Sequence, residues 1–212
     1  MILGGEGNGG VVATCIRDMN ERFDNKELMV TGFLNDELDF GTEINGYPVM
    51  GKTSDVEKYV KLGFHFAFVI HPFGKGRTRY ELFERLNIPL ERLVTVVHPS
   101  SVVAYNTNLA PGTLVMPNCH ISNSTNIGVA TFISPNSTIG HHCNIGKLCH
   151  FCTGSVSGSY LNIGNASDIG INATVVEKVT IGSFASLGAG SVLNKDINDE
   201  EFFAGFPARR IR

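Results

Sequence analysis

Between Val103 and Leu193 an apolar residue returns at every sixth position. The series is Val103, Leu109, Val115, Ile121, Ile127, Ile133, Ile139, Ile145, Phe151, Ile163, Ile169, Val175, Ile181, Leu187 and Leu193, broken only by Ser157. Four residues after each of these the side chain is mostly small: Thr107, Thr113, Cys119, Thr125, Thr131, Ser137, Cys143, Cys149, Ser155, Ser167, Ala173, Ala185 and Ser191. One residue after the apolar slot stands Gly at 128, 140, 146, 158, 164, 170, 182 and 188. A helix repeats at 3.6 residues and a strand at two, so neither produces a period of six. A triangular coil does. Three short strands meet at corners, each side points one apolar residue inward, a small residue fills the narrowing interior and Gly relieves the corner. Coils of about 18 residues then stack over one continuous core, and this run is long enough for about five of them.

Residues 1–97 follow a different grammar. Met1–Leu3 is a short apolar start, and the loop Gly4-Gly5-Glu6-Gly7-Asn8-Gly9-Gly10 follows it. A helix is expected from Val11 to about Arg22, a buried strand over Leu28–Leu34, and a helix over Thr53–Lys61 with Thr53 or Ser54 as N-cap. A second strand over Phe64–Ile70, a helix over Arg77–Leu86 and a strand over Leu93–Val97 complete the pattern. Strands alternating with helices imply a small, Rossmann-like parallel sheet. The loop satisfies G-x-G-x-x-G at Gly5, Gly7 and Gly10, and between a strand and a helix it presents backbone N–H groups to a phosphate. The expected division is thus an α/β domain over 1–97 and a β-helix with a C-terminal tail over 98–212.

Composition narrows the class. Hydrophobic residues are 42% and charged residues 17%, which suits a packed core and not a disordered chain. A net charge of −3 argues against a nucleic-acid partner. No apolar run approaches the ~20 residues of a membrane span, and the N-terminus lacks a signal-peptide pattern, so a cytoplasmic location is expected. Five cysteines, an odd number, suit a reducing compartment.

The repeat resembles the left-handed parallel β-helix of the hexapeptide-repeat acyltransferases. Together with the Gly4–Gly10 loop, Phe33-Leu34-Asn35-Asp36, Gly46-Tyr47-Pro48-Val49, His98-Pro99-Ser100, Ile139-Gly140-His141-His142-Cys143, His150, Leu187-Gly188-Ala189-Gly190-Ser191 and Gly205-Phe206-Pro207-Ala208, it is similar to the NeuD/PglD group of sugar acetyltransferases over essentially the whole chain. The resemblance implies a homotrimer, acetyl-CoA held between neighbouring β-helices, a nucleotide-sugar held by the N-terminal domain, and a β-helix histidine as general base. It implies acetylation of a UDP- or dTDP-linked 3-amino or 4-amino deoxysugar in bacterial surface-glycan biosynthesis. The alternatives are O-acetylation of a sialic-acid-like sugar and a non-catalytic nucleotide-sugar-binding scaffold.

His141 is the candidate base. It lies two places after inward Ile139 and should face outward, and imidazole suits proton transfer near neutrality. The group has a carboxylate after this histidine, whereas this chain has His142, which is also open as the base itself. The resemblance sets His150 beside the thioester end of the cofactor; the other reading is a structural turn residue. It puts the oxyanion donor at the backbone N–H near Ser159. Gly170, Ile171, Gly188, Ala189, Gly190, Gly205, Pro207 and Ala208 would line the CoA channel. Arg209 and Arg210 either meet CoA phosphates or form a solvated tail. Gly4, Gly7, Asn8, Gly9, Asn35 and Asp36 would contact the nucleotide-sugar. Arg77, with Arg79, would assist the diphosphate or form an exposed helix start.

His141, His142, Cys143, Cys149, His150 and Cys152 also look like a metal cluster. Cys143 and Cys149 fall in the small inward slots, though, so they should pack as core residues away from the histidines, and no metal is expected. A zinc hydrolyase of the γ-carbonic-anhydrase type would leave the N-terminal nucleotide-binding domain unexplained. A dehydrogenase would need a second catalytic domain.

Overall fold

The computed structural model describes residues 1–211. They form two compact units. One holds residues 1–70 and 81–94, and the other holds 71–80 with Thr95 onward.

The first unit contains β1 (Ile2–Leu3), α1 (Asn8–Arg22), β2 (Phe33–Leu34), β3 (Glu43–Ile44), β4 (Tyr47–Gly51), α2 (Val56–Lys61) and β5 (Ala67–Phe68). The sheet runs β3-β4-β2-β1-β5, with β1 parallel to both β2 and β5. Ile2, Leu3, Phe33, Leu34, Ala67 and Phe68 are all buried, as expected for strands covered on both faces. α1 packs through Val12, Ala13, Ile16 and Met19, a helical stripe. Gly9 permits this approach, because a Cβ there would meet the Phe33 ring at 3.0 Å and Ile2 at 3.4 Å. The sheet is not wholly parallel. β3 and β4 form an antiparallel hairpin across Asn45-Gly46, both at positive φ (51° and 80°), the turn that Asn-Gly favours.

The second unit is a three-sided parallel β-helix. Its first face carries the rungs Val102–Val103, His120–Ile121, Thr138–Ile139, Val156–Ser157, Thr174–Val175 and Val192–Leu193. The second carries Asn108–Leu109, Asn126–Ile127, Asn144–Ile145, Asn162–Ile163 and Thr180–Ile181. The third carries Val96–Val97, Leu114–Val115, Phe132–Ile133, His150–Phe151, Asp168–Ile169 and Ser186–Leu187, and is extended by Phe202–Gly205 and Ala208–Arg210. The prism therefore starts one rung earlier than Val103. Val97 also keeps the six-residue spacing and packs against the core. The strand expected over Leu93–Val97 divides: Leu93 bridges to Phe66, while Val96–Val97 pairs with Leu114–Val115.

Inside the prism the apolar slots stack register on register, Ile121 under Ile139 and Ile127 under Ile145. The small slots have a polar reason as well as a steric one. Thr125, Thr131, Ser137 and Ser167 donate their hydroxyls to carbonyls fifteen residues on, those of Gly140, Gly146, Cys152 and Gly182, at 2.9, 3.0, 3.1 and 2.6 Å. Buried hydroxyls are thereby satisfied. Leu161, Val179 and Ile197 replace small residues along one corner column, one of them just after Ser157, so interior volume moves from a face to its corner.

The glycines have a different cause from the one expected. The corner residue with left-handed backbone is the third after the apolar slot: Asn118, Ser124, Ala130, Asn136, His142, Leu148, Tyr160 and their successors, at φ between 52° and 63°. The glycine one place after the apolar slot is there for space. A Cβ on Gly146 would lie 2.7 Å from the Asn165 amide nitrogen of the next coil, and one on Gly158 2.7 Å from that of Glu177.

Candidate active site

His141 and His142 occupy the corner between the first and second faces. His142 is the left-handed residue of that turn. The His141 ring is half-buried and His142 is exposed. Their Nδ1 atoms share a hydrogen bond of 2.9 Å. The His141 N–H donates to the Ser159 hydroxyl one coil above, at 3.2 Å, and the Tyr160 N–H donates to the His141 carbonyl at 2.9 Å. The Gly158 and Tyr160 amides are used in the ladder, bonding to Val175 and His141, while the Ser159 amide enters none of these bonds. The corner thus offers an imidazole and a backbone donor close together.

The stretches expected to hold the cofactor converge on a different edge, between the third and first faces. Gly170 and Ile171 lie one coil below Gly188, Ala189 and Gly190, and the Gly190 N–H donates to the Ile171 carbonyl at 2.8 Å. The Gly205 N–H reaches the Ser191 hydroxyl at 2.9 Å, and Ala208 is fully buried beside the same edge. Ile171, Ala189, Gly190, Pro207 and Arg209 are exposed. Arg210 pairs with Glu201 at 3.2 Å, whereas Arg209 bonds the Ala208 carbonyl at 3.1 Å. Within one chain the whole first face separates this edge from His141.

His150 joins neither edge. It is buried on the outer side of the third face, stacked on Phe132 (5.2 Å, 23°), with Nε2 3.2 Å from the Ser134 hydroxyl. Burial, reinforced by the nearby Arg79 cation, pushes its imidazole down to about 3. The segment 71–80 covers this surface. Its Arg79 is not at an exposed helix start but fully buried. The guanidinium donates to the Asp168 carboxylate (2.8 Å), the Leu148 carbonyl (3.0 Å) and the Ala166 carbonyl (2.9 Å). The Gly74 N–H adds a bond of 2.7 Å to Asp168. Arg79 is therefore a fastener, and no phosphate reaches it. Arg77 is exposed, paired with Glu200 and lying over the Phe184 ring at 4.4 Å.

Cys143 and Cys149 lie in the prism core, as their slots require. Burial pushes the thiols of Cys149 and Cys152 up to about 12, so neither is a ready nucleophile. Among the described residues no group of three or more His, Cys, Asp or Glu is placed to hold a metal ion.

In the first unit Gly4 lies against β5, where a Cβ would meet Val69 Cγ2 at 2.7 Å. β1 sends the chain to β2 on one side and has β5 on the other, so the loop opens at the switch point of the sheet. α1 begins there with Gly7 as N-cap, no capping side chain and no acid in its first turn. Asn35 braces the loop by donating to the Gly4 carbonyl (3.1 Å) and accepting the Glu37 and Leu38 N–H groups (2.9 and 2.8 Å). Asp36 uses both carboxylate oxygens on Thr53, taking its N–H at 2.7 Å and its hydroxyl at 2.8 Å. The sequence reading missed this capping role, and Thr53 is the residue held, not the holder.

No family model matches the chain. Over 43 residues it is 56% identical to the bifunctional protein GlmU of Rubrobacter xylanophilus, a match that takes in 20% of this chain and only 9% of that protein's length. Solved structures cover it end to end, among them the two that follow. A histidine-to-asparagine variant of perosamine N-acetyltransferase from Caulobacter crescentus, in complex with CoA and GDP-perosamine, is 26% identical with a TM-score of 0.84, covering 100% of this chain and 95% of that one. The acetyltransferase domain of PglB from Neisseria gonorrhoeae FA1090, in complex with acetyl coenzyme A, is 25% identical with a TM-score of 0.83, covering 99% and 97%. The fold is thus an α/β unit and, later in the chain, a left-handed parallel β-helix, and the chain is a hexapeptide-repeat acyltransferase. Within that superfamily its likeness is to the sugar acetyltransferases.

Proposed function

We propose that this enzyme transfers the acetyl group of acetyl-CoA to the amino group of a nucleoside-diphosphate-linked aminodeoxysugar, as a homotrimer, in the cytoplasm, during bacterial surface-glycan synthesis. The observation that carries this is the end-to-end likeness to an N-acetyltransferase solved with CoA and GDP-perosamine. The sugar nucleotide in that complex is a GDP-sugar, so guanosine joins the uridine and thymidine carriers expected from the sequence. No helix among the described residues is long and apolar enough to cross a membrane.

The separation of the two edges supports an assembly of copies, which we take as the trimer. An acyl donor lying along Gly170, Ile171, Gly188–Gly190, Gly205, Pro207 and Ala208, with Arg209 toward its phosphates, reaches a His141 only on a second copy. Rotational symmetry repeats that junction at every interface. The first unit would hold the sugar nucleotide, with its phosphates on the N–H groups of Gly7, Asn8 and Gly9 at the α1 N-terminus. Gly4 and Asn35 shape the loop. Asp36 and Arg77 already have partners and are assigned to shaping the surroundings, not to contact. The second unit would carry the transfer.

Acetyl-CoA supplies the activated acetyl group when bound. His141 accepts a proton from the attacking amine, the Ser159 N–H meets the oxygen on which negative charge develops, and His141 returns the proton to the departing thiolate. Holding both substrates at one junction contributes by proximity. His150, buried on the third face against Phe132 and Ser134, is assigned a structural role and no contact with the cofactor. His141→Ala should lower turnover about 10²–10⁴-fold, measured as CoA release, with an unchanged sedimentation coefficient. Wild-type turnover would rule out His141. Calorimetry with UDP-, dTDP- and GDP-linked aminosugars identifies the carrier, and failure to bind any of them would overturn the acceptor class.

A further inference from the structure

The corner holding His141 contains a second imidazole and an aromatic ring in defined mutual geometry. The rings of His141 and His142 stand nearly perpendicular, 86° apart with centroids at 5.0 Å, and face each other through Nδ1. Only one proton fits between two such nitrogens, so one ring donates and the other accepts. Tyr160, one coil above, stacks on His142 at 5.1 Å and 22° and turns its edge to His141 at 5.0 Å and 86°. The backbone fixes all three. His142 and Tyr160 hold corresponding left-handed corner positions (φ 56° and 60°), and the His142 N–H donates to the Asn123 carbonyl at 3.1 Å. Among the described residues, the ring of His141 is met by an imidazole and not by a carboxylate.

We propose that His142 is the positioning partner of His141, accepting its Nδ1–H so that Nε2 points outward unprotonated, and that Tyr160 holds His142 in that orientation by stacking. The inference rests on His141 being the base. With Nδ1 engaged, Nε2 is the atom left to take the proton of the sugar amine. Once it does, His141 carries N–H on both nitrogens and a positive charge, and its bond to His142 becomes charge-assisted and stronger. The pair is thus better matched to the protonated state reached during transfer than to the resting state, while adding no fixed negative charge to the corner. The proton leaves Nε2 with the CoA thiolate, and the pair returns to its starting tautomers.

The test uses the full chain labelled with 15N-histidine. Nitrogen NMR should show His141 protonated at Nδ1 and bare at Nε2. In His142→Phe, which keeps the ring on Tyr160 but removes the acceptor, His141 should lose that preference. Turnover with acetyl-CoA and the nucleotide-linked aminosugar that calorimetry shows to bind should drop about tenfold in kcat, with KM within twofold. His142→Asn, at ease with positive φ and carrying an acceptor oxygen, should recover part of the loss. Tyr160→Phe should resemble wild type, and Tyr160→Leu should fall toward His142→Phe. An Nε2–H tautomer in the unmodified protein, or unchanged kcat in His142→Phe, overturns the proposal. Normal turnover in His141→Ala would instead remove the assignment of the base, while the tautomer measurement still reports on the pair.

Discussion

Arg79 and Asp168 form an ion pair of 2.8 Å in which neither side chain reaches solvent. Burial pushes the Asp168 carboxyl up, and Arg79 together with the Gly74 N–H draws it back toward the ionised form. The pair ties the segment 71–80 to the outer side of the third face through a carboxylate, two carbonyls and a backbone amide.

Removing one partner leaves the other buried and uncompensated. Arg79→Met or Asp168→Leu alone should cost about 3–5 kcal/mol, read from the urea midpoint. The double variant Arg79→Met/Asp168→Leu should recover much of that. Equal losses in single and double variants would mean the cost is shape and not charge.

His150 links stability to pH. Its folded-state value, near 3, lies below the ordinary imidazole value, so the unfolded chain binds the extra proton first as pH falls. The stabilisation is complete above that ordinary value and is lost as pH drops toward 3. Between pH 7 and pH 5 the protein should lose about 2 kcal/mol on this account. In His150→Phe the slope of stability against pH over that interval should shrink, and an unchanged slope would place the titration elsewhere.

The two kinds of glycine should respond differently. Gly146→Ala forces a methyl against the backbone of the next coil and should cost about 1–3 kcal/mol. Gly190 has φ 64° and nothing within 4 Å of an added Cβ, so Gly190→Ala should cost only about 1–2 kcal/mol of backbone strain. Thermal midpoints in the reverse order would contradict the crowding argument.

Ser157 interrupts the apolar ladder with a buried hydroxyl that has no hydrogen-bond partner. Ser157→Ala removes the unsatisfied group without adding volume. It should leave stability unchanged or raise it by about 1 kcal/mol, measured by denaturant unfolding. A clear loss would show that a partner satisfies this hydroxyl in solution.

The six-residue period, the inward Cys143 and Cys149, the end of α1 near Arg22 and the outward corner of His141 could all be read along the chain, whereas α1 begins at Asn8, three residues before the expected Val11. Each depends on neighbours a fixed number of residues away, because every coil repeats the same environment. The Asn45-Gly46 hairpin carries a local signal too, in the preference of Asn-Gly for a turn with two positive φ angles. What the folded chain alone decided are meetings between distant residues. Arg79 finds Asp168 across 89 positions, Asp36 spends its carboxylate on Thr53, and His150 disappears beneath residues 71–80. The same holds for the cause of the glycines and for the ring that His142 offers to His141. Local pattern sets which way a side chain faces, while the packing of separate elements decides what it meets there, and so whether it is buried, paired or left free to react.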